Sequence, residues 1–207
     1  MKKTLIALLA LAGVAAAGTE ETITLQPTPQ TACTWQPEFS LEYLYAFADK
    51  KDEIDTQGVR ASFSVIRKTD SPFSHQFSLN LSYREGEEKE SIEDIYLNHK
   101  ETDKAVTFGY DLNYAVTDKV TLFAGAKAGY AISEYEIDII GIKLSDDMEG
   151  YTYSVGGGVK YQITESVNLK AGYEFSRTFF GDIGSGESRA NIIVNQHIIS
   201  VGVGYQF

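Results

Sequence analysis

The residues able to do chemistry are few and scattered. His75, His99 and His197 stand far apart and in no metal-ligand spacing such as HExxH. His197 and Ser200 pair a base with a hydroxyl, but residues three apart in a strand point to opposite faces. No acid is placed to orient that imidazole. Cys33 is the single cysteine, which excludes a disulfide framework and a Cys-based metal site and leaves an incidental free thiol. The glycine run between Val155 and Val159 belongs to a strand rather than preceding a helix, so it is no phosphate loop. Asp146, Asp147 and Glu149 form the densest acid group but lack the spacing of a calcium loop. The reading is a protein with no catalytic, cofactor-binding or metal site.

What remains is a set of charges inside strands. From Phe39 onward eight strands are read: 39–47, 59–65, 77–83, 106–114, 120–132, 151–161, 167–175 and 197–207. Taking alternate positions from the first residue of each strand gives a face of 42 residues without one Asp, Glu, Lys or Arg. The opposite face carries Glu42, Arg60, Asp111, Lys127, Lys160, Lys170 and Glu174, together with Gly109, Gly125, Gly129, Gly156, Gly158, Gly172, Gly202 and Gly204. Glycine weakens a strand, so its concentration on one face signals that space there is limiting. A soluble barrel would bury the apolar face, whereas a membrane barrel turns it to lipid and keeps the polar face inside. Eight strands enclose an interior just wide enough for side chains to fill. The seven charges are therefore expected to cross the lumen as an ion-pair network that plugs it.

The connections alternate in length. Residues 116–119, 163–166 and 67–74 are short; 48–58, 84–105, 133–150 and 176–196 are long. An up-and-down meander of this kind puts every short turn at one end. Within the long segments IEDIYL (92–97) and IDIIGIKL (137–144) have strand character and read as strand extensions or packed loop hairpins, with ten strands as the alternative. Acids against bases number 4 to 2, 8 to 4, 6 to 1 and 2 to 2 in the four long segments, a net −11. The acidic loops would suit a basic surface partner.

Residues 1–17, MKKTLIALLALAGVAAA, read as a cleavable signal peptide: two lysines, a short apolar core and small residues before the cut. Residues 18–37 hold three of the four prolines and read as an N-terminal arm, with the barrel domain over 38–207. Loss of Lys2 and Lys3 takes the net charge from −11 to −13. So acidic a chain, with no basic cluster, is not a nucleic-acid binder.

Aromatics gather at strand ends. Tyr43, Tyr45, Phe47, Tyr83, Tyr130, Tyr151, Tyr153 and Phe175 lie toward the long connections, and Phe77, Tyr114, Tyr161, Tyr205 and Phe207 toward the short turns. Leu41, Leu81, Ala124, Ala126, Val155, Leu169, Ala171 and Val201 lie between them, a layout that matches the two interfaces of a bilayer. The chain ends HIISVGVGYQF, alternating to its final Phe.

With its signal segment, eight-strand layout and closing strand, the sequence resembles the small outer-membrane β-barrels of the OmpA/OmpX type. The resemblance implies an all-β fold, an eight-stranded antiparallel up-and-down transmembrane β-barrel. It further implies a monomer in outer-membrane lipid with periplasmic N- and C-termini, and Tyr205 and Phe207 read by the barrel assembly machinery. The implied role is structural or surface interaction, such as membrane integrity or adhesion through the acidic loops. The alternatives are an outer-membrane lipid-modifying enzyme and a narrow ion-conducting pore.

Overall fold

The computed structural model describes residues 34–48, 54–92, 95–139, 142–183 and 190–207. The signal segment, most of the arm and Cys33 lie outside the described residues. Eight strands follow one another: β1 (Thr34–Ala48), β2 (Thr56–Lys68), β3 (Phe73–Ile92), β4 (Ile95–Ala115), β5 (Val120–Ile139), β6 (Ile142–Gln162), β7 (Val167–Ile183) and β8 (Ala190–Gln206). Each pairs antiparallel with the next, and β8 returns to β1 to close the barrel. The last residue takes part in this closure, because the Phe207 amide donates to the Pro37 carbonyl at 3.0 Å.

The alternation read from the sequence decides which side each residue faces. The uncharged face points outward, with Leu41 and Val155 each 53% exposed and Phe108 66% exposed. The polar face points inward, where Arg60, Glu174 and Ser154 are buried. A strand has only two faces, so once one is uncharged the register is pinned in all eight.

Strand length differs from the reading. Segments 84–105 and 133–150 are not loops but ladder, paired from Tyr83↔Lys104 to Ile92↔Ile95 and from Tyr130↔Tyr151 to Ile139↔Ile142. The described parts of IEDIYL and IDIIGIKL lie in these hairpins, so they extend four of the eight strands and add no ninth or tenth among the described residues. Their charges do not oppose strand formation because they neutralise one another across it: Lys104 pairs with Glu134, Lys143 with Glu136, and Lys100 with Glu85 at 3.4 Å. Strand β1 likewise begins at Thr34, ahead of the expected 39.

The short turns are built by one device used twice. In Val116–Lys119 the Val116 amide donates to the Val120 carbonyl at 2.8 Å, and Thr117 Oγ1 accepts from the amides of Lys119 and Val120 at 3.2 and 3.0 Å. In Ile163–Ser166 the Ile163 amide donates to Val167 at 2.8 Å, and Thr164 Oγ1 accepts from Ser166 and Val167 at 3.3 and 3.0 Å. A threonine hydroxyl thus replaces the missing ladder partner at each reversal.

Candidate functional site: the filled lumen and the sheet above it

Charged side chains fill the barrel in layers. Near the short turns Glu38 is fully buried and receives four donors: Lys170 Nζ at 2.5 Å, Asn168 Nδ2 at 3.0 Å, Gln206 Nε2 at 3.0 Å and Gln76 Nε2 at 3.3 Å. These partners come from β7, β8 and β3, so one carboxylate of β1 ties both sides of the closing seam. Lys170 also donates to Ser40 Oγ at 3.1 Å.

One layer up, Arg60 bonds Glu174 at 2.6 Å and Glu42 at 3.2 Å, and Lys127 pairs with Glu174 from the other side. Glycine opposite these acids makes the room. A Cβ on Gly202 would lie 2.6 Å from Glu42 Cγ, and one on Gly156 2.9 Å from Glu174 Cγ. Phe123 also points inward, over Gly158, where a Cβ would lie 2.7 Å from its ring.

Five of the seven expected residues, Glu42, Arg60, Lys127, Lys170 and Glu174, therefore join ion pairs. Asp111 and Lys160 are lumenal and buried, but neither forms an ion pair among the described residues. Lys160 instead bonds Gln76 and sits 5.6 Å from the centre of the Phe123 ring. Asp111 stands opposite Gly125 and Gln76, neither of which supplies a cation. Across both layers four carboxylates (Glu38, Glu42, Asp111, Glu174) face four cations (Arg60, Lys127, Lys160, Lys170), so these two layers are neutral. The remaining cavity among them is about 30 Å³, room for roughly one water.

Above the ions Leu44, Ala46 and Ile198 are wholly buried, and Phe180 and Ala131 nearly so, among buried Thr152, Ser154, Ser176 and Thr178. A second polar cluster stands beside them. Arg84 bonds Asp103 at 3.2 Å and Gln196 at 3.4 Å, and the Ser133 hydroxyl lies 2.8 Å from Asp103 Oδ1 and 3.0 Å from Glu101 Oε1. This cluster stands level with Lys104 and Glu134, whose charges lie on the outward face, so it is outside any apolar band. Burial first, and then the adjacent Glu101, hold the Asp103 carboxyl well above the ordinary carboxylate range.

Sequence reading missed Glu38, Arg84, Glu101, Asp103 and Gln206. For Arg84, Glu101 and Asp103 the signal was present. Continuing the alternation of 78, 80 and 82 past 83, and of 109, 107 and 105 below 106, puts all three inward. Counting charged residues as loop concealed it.

The outward wall carries aromatics toward both ends, with Phe39, Phe63, Phe108, Tyr110 and Tyr173 set between the two groups. Two histidines face outward and satisfy tyrosine hydroxyls: His75 Nδ1 lies 2.8 Å from Tyr110 Oη, and His197 bonds Tyr173. Ser200 is buried in the lumen, so His197 and Ser200 lie on opposite sides of the wall. Tyr205 and Phe207 face outward and meet edge to face at 5.0 Å.

Beyond the aromatics β3 to β6 continue as one four-stranded sheet. From Tyr83↔Lys104 to the tip at Ile92↔Ile95 it rises about 30 Å, at ~3.3 Å per residue. On β1 and β2 the ladder stops at Ala46↔Thr56, far lower. Pairing of β3 with β2 ends at Glu85 and that of β6 with β7 at Gly150, so 87–92 and 142–149 have a strand neighbour on one side only among the described residues.

A family model described as "Outer membrane protein beta-barrel domain" matches residues 4–207. Among solved structures, the attachment invasion locus protein Ail of Yersinia pestis is similar at 12% identity, with a TM-score of 0.51 over 83% of this chain and 98% of its own. Neisserial surface protein A is similar at 18% identity and a TM-score of 0.48, covering 84% and 97%. The outer membrane protease OmpT of Escherichia coli is similar at 11% identity and a TM-score of 0.40, covering 89% and 99%. No curated protein matches the sequence.

Proposed function

The chain belongs to the outer membrane protein β-barrel domain family, and from that premise we propose that it is a sealed, non-enzymatic anchor that displays a sheet for surface interaction. In this reading the short turns and both termini are periplasmic and the tall sheet stands outside the cell. Tyr205 and Phe207 are the signal for the assembly machinery. The observation that carries the reading is the pairing of a closed lumen with an open sheet. The ion-paired side chains fill the lumen down to a cavity of about 30 Å³, room for roughly one water, and Leu44, Ala46 and Ile198 are wholly buried beyond them. The same strands continue as a wall whose segments 87–92 and 142–149 have a strand neighbour on one side only among the described residues, and such an edge is a template for another chain.

The edges favour a basic partner. Residues 87–92 hold Glu87, Glu88 and Glu90 against Lys89, and 142–149 hold Asp146, Asp147 and Glu149 against Lys143, so each edge is net acidic. An extended segment with lysine or arginine at alternate positions would gain both ladder bonds and opposite charge. The Yersinia pestis neighbour is named for attachment and invasion, a role of the same kind.

The test replaces residues 87–100 and 135–146 with two-residue turns. The trimmed protein is expected to keep heat-modifiable migration on a detergent gel and to remain silent in planar bilayers. Cells displaying it are expected to lose capture of a synthetic extended lysine-rich peptide that the full chain retains. Steady conductance by the full chain, or equal capture by the trimmed chain, would overturn the reading.

A further inference from the structure

The outward wall of this barrel is uncharged between its aromatic bands, with one cation set among apolar neighbours. Arg177 on β7 faces outward, with Phe175 and Phe179 two residues to either side on the same strand. Its lateral neighbours are Tyr153 of β6 and Asn195 of β8, and Asn195 is flanked in turn by Ile193 and His197. The other outward cations described at this end, Lys100, Lys104 and Lys143, are each matched by a glutamate. Among the described residues Arg177 meets only an amide, its Nε donating to Asn195 Oδ1 at 2.6 Å. That bond fixes the plane of the guanidinium and uses one of its five N–H donors, leaving a fork suited to a phosphate. A charge on the lipid side is tolerated only near the headgroups, where a long side chain reaches them.

An apolar groove of about 530 Å³ adjoins it on the same wall. Its floor is Ala128 of β5. One bank is Phe108, and the other is Tyr153 and Phe179, whose rings stack at 5.8 Å. Tyr130 and Tyr151 close its upper end edge to face at 5.8 Å. Tyr153 and Phe179 border both the groove and Arg177, so an apolar slot and a single cation share one bank.

We propose that this juxtaposition is a binding site for one anionic phospholipid of the leaflet at the tall-hairpin end, its phosphate on Arg177 and an acyl chain in the Ala128 groove. The occupant is a lipid because the groove opens on the membrane side and its polar anchor lies at one end. Small Ala128 opposite bulky Phe108 makes a slot one chain deep. The charge is complementary to phosphate and finds no carboxylate among its described neighbours. The site is independent of the sheet edges and of any partner that docks there.

The test extracts the full chain from bilayers of dimyristoylphosphatidylglycerol or dimyristoylphosphatidylcholine and counts retained lipid by native mass spectrometry. The two lipids share their acyl chains, so the comparison isolates the headgroup. Wild type is expected to retain one phosphatidylglycerol at least tenfold in preference to phosphatidylcholine. Arg177→Gln is expected to lose that preference, and Ala128→Phe, which fills the slot, to lower retention of both. Lys104→Gln, which removes a cation outside the site, is expected to change neither. Heat-modifiable migration confirms that each variant is folded. Equal preference in Arg177→Gln and wild type, or an equal loss in Lys104→Gln, would overturn the proposal. So would displacement of the lipid by excess inorganic phosphate, which would mark a site for free phosphate.

Discussion

At the scale of single residues, the lumen is held by shared partners rather than by isolated pairs. Glu174 takes both Arg60 and Lys127, while Arg60 also takes Glu42, so two acids and two bases balance. Removing one member leaves a buried charge without its counterion, which costs about 3–5 kcal/mol, whereas removing an opposite pair restores neutrality. Lys127→Met alone is therefore expected to lower barrel stability by about that amount, and Lys127→Met with Glu174→Gln by clearly less than the sum of the two singles. Equilibrium unfolding in urea, followed by tryptophan fluorescence, gives the cycle, and strict additivity would contradict it. In the cluster above, Asp103 runs against the usual behaviour of paired carboxylates. Its folded pKa is raised by burial and by Glu101, since one Arg84 cannot neutralise both acids. The folded form then holds a proton that the unfolded chain releases from about pH 4 upward, so stability declines as pH rises above that point. Asp103→Asn is expected to flatten this slope, read as the urea midpoint against pH; an unchanged slope would show that another group sets it.

At the scale of elements, the space inside the barrel is set by glycines that face large partners. Gly158 lies beneath Phe123, whose ring also covers Gly172 and lies within cation–π reach of Lys160. Gly158→Val would drive branched methyls into that ring and into the β7 backbone. It is expected to destabilise the barrel by about 1–3 kcal/mol, the usual range for overpacking. Gly181→Val, at an outward site with nothing within 4 Å, is expected to be nearly silent in the same unfolding assay. The glycine bias was legible in the sequence because crowding acts on every inward position alike, and so was the strand count, because each short turn resets the alternation. Strand length was not. Residues 84–92 and 134–138 are dense in charge, and charge on one strand reads as loop until its partner across the ladder is known. Lys104 with Glu134 and Lys100 with Glu85 are neighbours only through pairing between strands. The lumenal role of Glu38 was hidden for a related reason. It falls between an arm read as ending at Pro37 and a first strand read from Phe39, yet a proline is tolerated in a strand where its missing amide breaks no needed bond.

At the scale of the whole molecule, a barrel differs from an open sheet at one seam, where its first and last strands meet. Here the seam is fastened from the inside, where Gln206 donates to Glu38, which also gathers β3 and β7. Ladder bonds between β1 and β8 are no stronger than those elsewhere, so the buried carboxylate supplies what distinguishes closure in this register from closure shifted along the strands. Shifting β8 by two residues would keep every side chain on its own face but would place Gly204, with no side-chain donor, opposite Glu38. Glu38→Ala should then do more than lower stability. It leaves Lys170 buried without its partner and removes the check on register, and is expected to cost about 3–5 kcal/mol. Gln206→Ala removes one of four donors to the same oxygens and is expected to cost about 1–3 kcal/mol, as for a lost hydrogen bond to a charged group. The two effects should not add, because without Glu38 the amide of Gln206 has lost that acceptor. Refolding of purified variants into detergent micelles, followed by the heat-modifiable gel shift, measures both stability and the fraction that closes. If Glu38→Ala closed as fully as wild type with an unchanged urea midpoint, closure would have to reside in the ladder alone.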